Sequence, residues 1–336
     1  MKQRKNTKIN WDRLSENPEA IYILEQNLEK INWWRLSKNP NAIHLLKQNL
    51  DKVDWFYLSM NENAMSILKD NLDKVEWYYL SSNSSTISLL ENNMEQIHWD
   101  NLCLNPNATH ILDQNLDKIN WHYLSMNPNA VSILERNYDK IDWYYLSMNP
   151  NAIHLLGQNT DKIDWDNLSM NPNAISILEK NLDKVHWGFL SENPNAIPII
   201  ERNLDKVDWY WLSMNRNAIS ILKDNLDKVS WYWLSENINA ISLLECNLEK
   251  VDWGFLSENP NAIPILERNM KKIAWTRLSS NPNGTRLLFE YDYIAMKKQC
   301  AVFAEELACY VFHPLRLMRF SKKYEMEFDE YVEIFE

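Results

Sequence analysis

The sequence predicts an all-α fold, an α-solenoid of thirteen 22-residue helix-turn-helix repeats with a helical C-terminal cap. Three observations carry that prediction. Tryptophan recurs from Trp11, Trp33 and Trp55 to Trp275 in steps of 22 residues, with no insertion or deletion. Counting this Trp as position 1, Leu holds position 4 and Asn position 7 in all 13 repeats, and Asn also holds position 17 in twelve. The "NPNAIxLLE" between them reads as a helix start followed by helical spacing, and four Gly in the whole chain are few for the tight turns of a β fold. A repeat array also accommodates the length of 336 residues, because each repeat buries its face only on its neighbours.

Residues 1–7 read as a basic N-terminal arm, 8–290 as the solenoid and 291–336 as a helical cap or docking segment. Within a repeat, the residue before the Trp is Asn, Asp or Ser in nine cases, for example Asp142 and Ser230, and reads as the N-cap of a short helix through "WxxLS". Asn at position 7 then caps a longer helix, with Pro as its first residue in nine repeats, among them Pro18, Pro40, Pro106 and Pro128. Apolar residues follow at positions 10, 11, 13 and 14, as in Ala152, Ile153, Leu155 and Leu156. Asn at position 17 reads as a helix stop that tolerates the left-handed conformation. The rival architecture is a leucine-rich repeat, whose strand needs alternating Leu; "WxxLSxNP" lacks the alternation and places Pro too early. At one helix spacing of about 8–10 Å per repeat, the array predicts a rod of roughly 100–130 Å.

Pro198 and Pro264 fall at position 12, inside the longer helix, where Pro costs about 3 kcal/mol. Both repeats carry Gly at position 2, Gly188 and Gly254. Contact between positions 2 and 12 would explain the pairing; recent duplication of "WGFLSENPNAIPI" is the reading preferred.

The constant letters predict a core of Trp at position 1, Leu at 4, Ala at 10, Ile at 11, Leu at 14 and Ile or Val at 21. Buried Trp side chains would dominate stability. The Asn columns read as caps rather than a ligand ladder. The "DK" rows, such as Asp51-Lys52 and Asp73-Lys74, read as solvated edges. Variation concentrates at positions 2, 3, 6, 12 and 16. The candidate partner-binding residues lie on the short helix at positions 2, 3 and 6: Phe56, Tyr57 and Met60; Tyr123 and Met126; Tyr144, Tyr145 and Met148; Tyr210, Trp211 and Met214; Tyr232 and Trp233. Interfaces enrich aromatics and Met, so the varied face suggests recognition. Packing of the same rings onto the next repeat is the alternative.

No catalytic constellation is visible. His44, His110 and His154 occupy position 12 of different repeats and cannot converge on one metal; His98 and His186 precede Trp and read as caps. The Ser at position 5 recurs twelve times, with Cys103 in the remaining repeat, and reads as structural. Neither a Gly-rich phosphate loop nor an HExxH is present. The expectation is therefore a non-enzyme without cofactor or metal. A net charge of −11 opposes nucleic-acid binding. The start "MKQRKNTKINW" has no apolar core, no run of 18 apolar residues spans a membrane, and Cys103, Cys246, Cys300 and Cys309 lack paired spacing. Those features predict a reduced intracellular compartment, and the N-x-S/T matches at Asn83, Asn107 and Asn283 read as by-products of the repeat. In the C-terminal segment, Ala301, Phe303, Ala304, Leu307 and Val311 mark an amphipathic helix, broken at His313-Pro314 and followed by a basic helix.

The recurring "WxxLSxNPNAIxLLxxNLDKI" resembles the repeat proteins of giant nucleocytoplasmic DNA viruses, the mimivirus and marseillevirus kind. The tail "EELACYVFHPLRLMRF" is similar to a C-terminal segment common in those genomes. The resemblance covers nearly the whole chain and implies a protein made in host cytoplasm and open to packaging in the virion. It carries over no activity and no catalytic residue. The function expected is a repeat scaffold that binds a viral or host protein, with a single-stranded RNA reader and a structural virion component as alternatives.

Overall fold

A computed structural model describes residues 2–5 and 7–290, together with Tyr310, His313 and Arg316. Two compact units divide the chain. Residues 6–288 form the repeat array; the other unit comprises Met1–Lys5 and Phe289–Glu336. Its described part is a two-stranded antiparallel ribbon, Lys2–Gln3 against Phe289–Glu290. The amphipathic and basic helices expected in 291–336 lie outside the described residues.

Each repeat holds two short helices. The first starts at the Trp and runs four to six residues, as in Trp11–Glu16 and Trp143–Leu146. Asn10, Asn32, Asp54, Asp142, Asp164, His186, Asp208 and Asp252 cap it with a side-chain acceptor. Ser230 and His98 stand at the same position without a side-chain cap bond. Asn at position 7 ends the first helix in extended conformation (Asn39 φ −71°, ψ 116°), and its Oδ1 accepts the N–H of position 9. The second helix begins only at position 11, after Ala, as in Ile43–Lys47 and Ile153–Gln158. It runs four to six residues, the same range as the first, so it is not the consistently longer helix expected. Pro at position 8 lies in the connecting turn, where its fixed φ suits the bend. In three repeats that turn is a 3-10 helix opened by Pro and capped by the Asn at position 7, the helix start expected, as in Pro18–Ala20 and Pro260–Ala262. Pro198 and Pro264 consequently sit in the first turn of Ile197–Glu201 and Ile263–Arg268, where no N–H bond is lost. Gly188 and Gly254 face Trp211 and Arg277 of the following repeats rather than those prolines.

Asn at position 17 stops the second helix by a route other than the left-handed one expected. Asn137 has φ −126° and ψ 45°, and its Nδ2 donates to the Ile133 carbonyl at 2.9 Å, occupying an acceptor the helix end leaves open. The same bond recurs from Asn27 to Asn269.

Leu at position 4 is fully buried throughout, with Ala at 10, Leu at 14 and Ile or Val at 21 around it. Two expected core columns differ. Ile at position 11 is mostly half-buried, and position 13 takes its place, as in Ile23 and Leu45. Trp at position 1 is half-buried, and in most repeats the Lys at position 20 lies over its ring. Lys228 Nζ lies 4.9 Å from the Trp209 ring centre, and the arrangement repeats from Lys30 over Trp11 to Lys272 over Trp253. The "DK" rows are thus not merely solvated edges: the ammonium meets the negative face of an indole.

Successive repeats are joined by a buried ladder. Asn149 Nδ2 donates to the carbonyls of Ser125 and Asn127 in the preceding repeat, at 3.0 and 2.9 Å, and every position-7 Asn from Asn39 to Asn281 makes this pair of bonds. A second, exposed line of bonds runs from Asn at position 9 to the position-8 carbonyl behind it, for example Asn151 to Pro128 at 2.9 Å.

The first repeat completes the ladder on the last. Asn17 Nδ2 donates to Ser279 and Asn281 carbonyls at 3.2 and 2.9 Å, as if the thirteenth repeat preceded it. The array is a closed ring, not the rod the helix spacing suggested. The joint is built from both ends of the array. In the complete repeats Ser at position 5 accepts the N–H of position 22, as Ser15 does from Asn32, with Cys103 taking the same bond from Asn120 in the fifth. In the thirteenth, Ser279 accepts from Asn10 at 3.0 Å instead. The residues before Trp11 therefore supply the closing stretch of the repeat that begins at Trp275.

Spacing between equivalent points in a ring grows in proportion to radius. At the ladder a single Asn side chain spans adjacent backbones, and successive first helices approach within 8 Å between Cα atoms. The second helices are spanned by two extended side chains, as in Arg136 to Asp113. The first helices and ladder therefore lie on the inner circumference and the second helices on the outer.

Candidate interaction surface

Positions 2, 3 and 6 project from the first helix, and their burial separates them. Position 2 is the exposed one: Tyr144 is 53%, Tyr210 47%, Tyr232 46% and Phe56 38% accessible. Position 3, with Tyr57, Tyr123, Tyr145, Trp211 and Trp233, is half-buried. Of the methionines, Met60 is exposed while Met126, Met148 and Met214 are half-buried.

The burial arises from stacking across the repeat boundary. The ring at position 2 meets position 3 of its own helix and position 3 of the next. Tyr210 lies 5.7 Å from Trp211 and 5.4 Å from Trp233; Tyr232 lies 4.9 Å from Trp233 and 4.2 Å from Phe255. Phe56 bridges Tyr57 and Tyr79 at 4.7 and 4.1 Å. The packing alternative therefore holds for position 3, while the rings at position 2 stay exposed to solvent.

This belt is discontinuous. Asn101 and Asn167 occupy position 3 in two repeats, and each donates to the position-2 carbonyl behind it, on Tyr78 and Tyr144. The aromatics fall into arcs, one from Trp34 to Tyr79 and another from Tyr210 to Phe255. Trp34, Tyr78, Tyr79 and Phe255 belong to the belt but were absent from the candidates drawn from sequence, although they stand in the same columns.

The clefts between repeats are shallow. Met214, Trp233 and Glu236 line one of about 90 Å³, too small for an ordinary small-molecule ligand. Among the described residues no group of three His, Cys, Asp or Glu side chains could hold a metal ion. His44, His110 and His154 each bond a Glu of the preceding repeat, with His110 Nε2 2.8 Å from Glu91. Cys103 substitutes for the structural Ser; burial pushes its thiol up to about 11, against the lowering effect of a bond from the Asn120 N–H. No helix among the described residues is long and apolar enough to cross a membrane.

Fold and surface together define an α-helical repeat ring with an aromatic belt on its first helices. No family model, curated protein or solved structure matches the chain.

Proposed function

We propose that the ring is a non-enzymatic scaffold that binds a protein partner through position 2 of the first helices, with positions 3 and 6 as its support. The observation that carries this reading is the alternation of presented and stacked rings. Stacking fixes the exposed Tyr side chains before any partner arrives, and preorganised aromatics lose little entropy on binding. The same columns vary between repeats while the Leu and Asn columns do not, which is the pattern of a surface selected for choice. The resemblance to giant-virus repeat proteins supports a partner among the viral or host proteins of an infected cytoplasm.

The test uses the full chain as bait and the tightest captured protein as ligand. Replacing Phe56, Tyr78, Tyr144, Tyr210 and Tyr232 by Ser should weaken that ligand at least tenfold, since central aromatic anchors contribute about 2 kcal/mol or more each. The melting temperature should change little, because these rings are about half accessible. Unchanged affinity would refute the belt as the binding surface. The RNA alternative predicts binding that falls steeply with salt in a filter assay.

A further inference from the structure

Closing the ring sorts charge in a way the linear order conceals. Every Arg or Lys at positions 2, 3 and 6 falls in three repeats: Arg277 in the thirteenth, Arg13 in the first, Arg35 and Lys38 in the second. The other ten repeats carry five carboxylates at those positions and neither Arg nor Lys. In sequence Arg277 and Arg13 are at opposite ends of the array; in the ring they are neighbours that share Glu258. Arg35 pairs with Glu16 at 2.6 Å, and Lys38 Nζ rests over the Tyr57 ring at 4.2 Å. An open cleft of about 250 Å³ lies between Arg13 and Arg35, lined also by Glu16 and bordered by Ser280. The exposed rings Trp34, Phe56 and Tyr78 continue directly from this basic sector.

We infer that the basic sector and the adjoining aromatic arc form the docking surface for an acidic peptide segment of a partner protein. The inference rests on the scaffold reading above and gives its partner a chemistry. Charge complementarity selects the occupant: this is the cationic stretch of the belt on a chain of net charge −11. The arginines are interleaved with Glu16 and Glu258, which suits separate carboxylates on a peptide better than the continuous charge of a nucleic-acid backbone. Four steps from Arg277 to Tyr78, at about 8–10 Å each, span the reach of about 10–12 extended residues.

The experiment is fluorescence anisotropy on the full chain, with a labelled dodecapeptide of three Glu-Phe-Asp-Leu blocks as probe. Binding should weaken at least tenfold in Arg13→Gln/Arg277→Gln and when Lys replaces Glu and Asp in the peptide. If that variant unfolds, Arg35→Gln/Lys38→Gln leaves the Arg13–Glu258 pair in place and carries the same expectation. Equal affinity of the acidic and basic peptides, indifference to the arginine variants, or tighter binding of a single-stranded 12-mer oligonucleotide would each overturn the inference. A captured partner that depends on Tyr144, Tyr210 and Tyr232 but not on the arginines would also overturn it, while leaving the scaffold reading intact.

Discussion

Replacing Asn149 by Ala separates a helix cap from a ring-joining group. As a cap alone, Asn at this position contributes about 1 kcal/mol. The structure gives it three bonds: Oδ1 accepts the Asn151 N–H at 3.0 Å, and Nδ2 donates to Ser125 and Asn127 carbonyls at 3.0 and 2.9 Å. Its side chain is fully buried, so solvent cannot replace them. At a net value of about 1 kcal/mol per bond the loss is about 3 kcal/mol, and more if the buried Ser125 carbonyl stays unpaired. Asn151→Ala, which removes one exposed bond to Pro128, is the matched control and should lose under about 1 kcal/mol. Asn149→Asp should be worse than Ala, since it sets a carboxylate oxygen against two carbonyls. Reversible urea unfolding followed by circular dichroism measures all three. Equal losses for Asn149→Ala and Asn151→Ala would refute the ladder as the joint between repeats.

Removing residues 1–10 deletes the Asn10 N–H that bonds Ser279 and the Oδ1 that caps the first helix; the expected result is a lower melting temperature and association through exposed ring ends, read by light scattering, and a monomer of unchanged stability would contradict the split thirteenth repeat. Lys228→Met should cost under about 1 kcal/mol, the usual value of an exposed cation–π contact, but should change the indole emission by altering the cover over Trp209. Cys103, with its thiol at about 11, should resist a thiol reagent at pH 8 in a chain whose other cysteines are Ser, and should react only on unfolding. Because the neutral thiol is favoured in the fold, its stabilising contribution is present below the ordinary thiol value of 9.0 and is lost as pH rises from there through about 11.

The helical character and the period were legible because both are local. Trp, Leu and Asn recur at fixed steps, and capping chemistry acts over three or four residues. Closure was not read, although "KINW" at Lys8–Trp11 repeats the "KINW" at Lys30–Trp33 and shows the chain entering in the last part of a repeat. Asn17 gives no sequence sign that its partners lie at Ser279 and Asn281, because the bonds are to carbonyls that every residue carries. The candidate rings were found by their columns, but periodicity cannot tell which of two adjacent aromatics is presented; stacking against Trp233 leaves Tyr210 outside and draws Trp211 inward.

A chain that closes on itself fixes its own copy number. Each repeat turns the path by about 28°, one thirteenth of a circle, and a twelfth or fourteenth would leave Asn17 short of Asn281 or force it past. An open array can lengthen or shorten by unequal recombination and keep its fold. Here such an event would break the joint between Asn17 and Asn281, so the ring tolerates changed letters within a repeat but not a changed count of repeats.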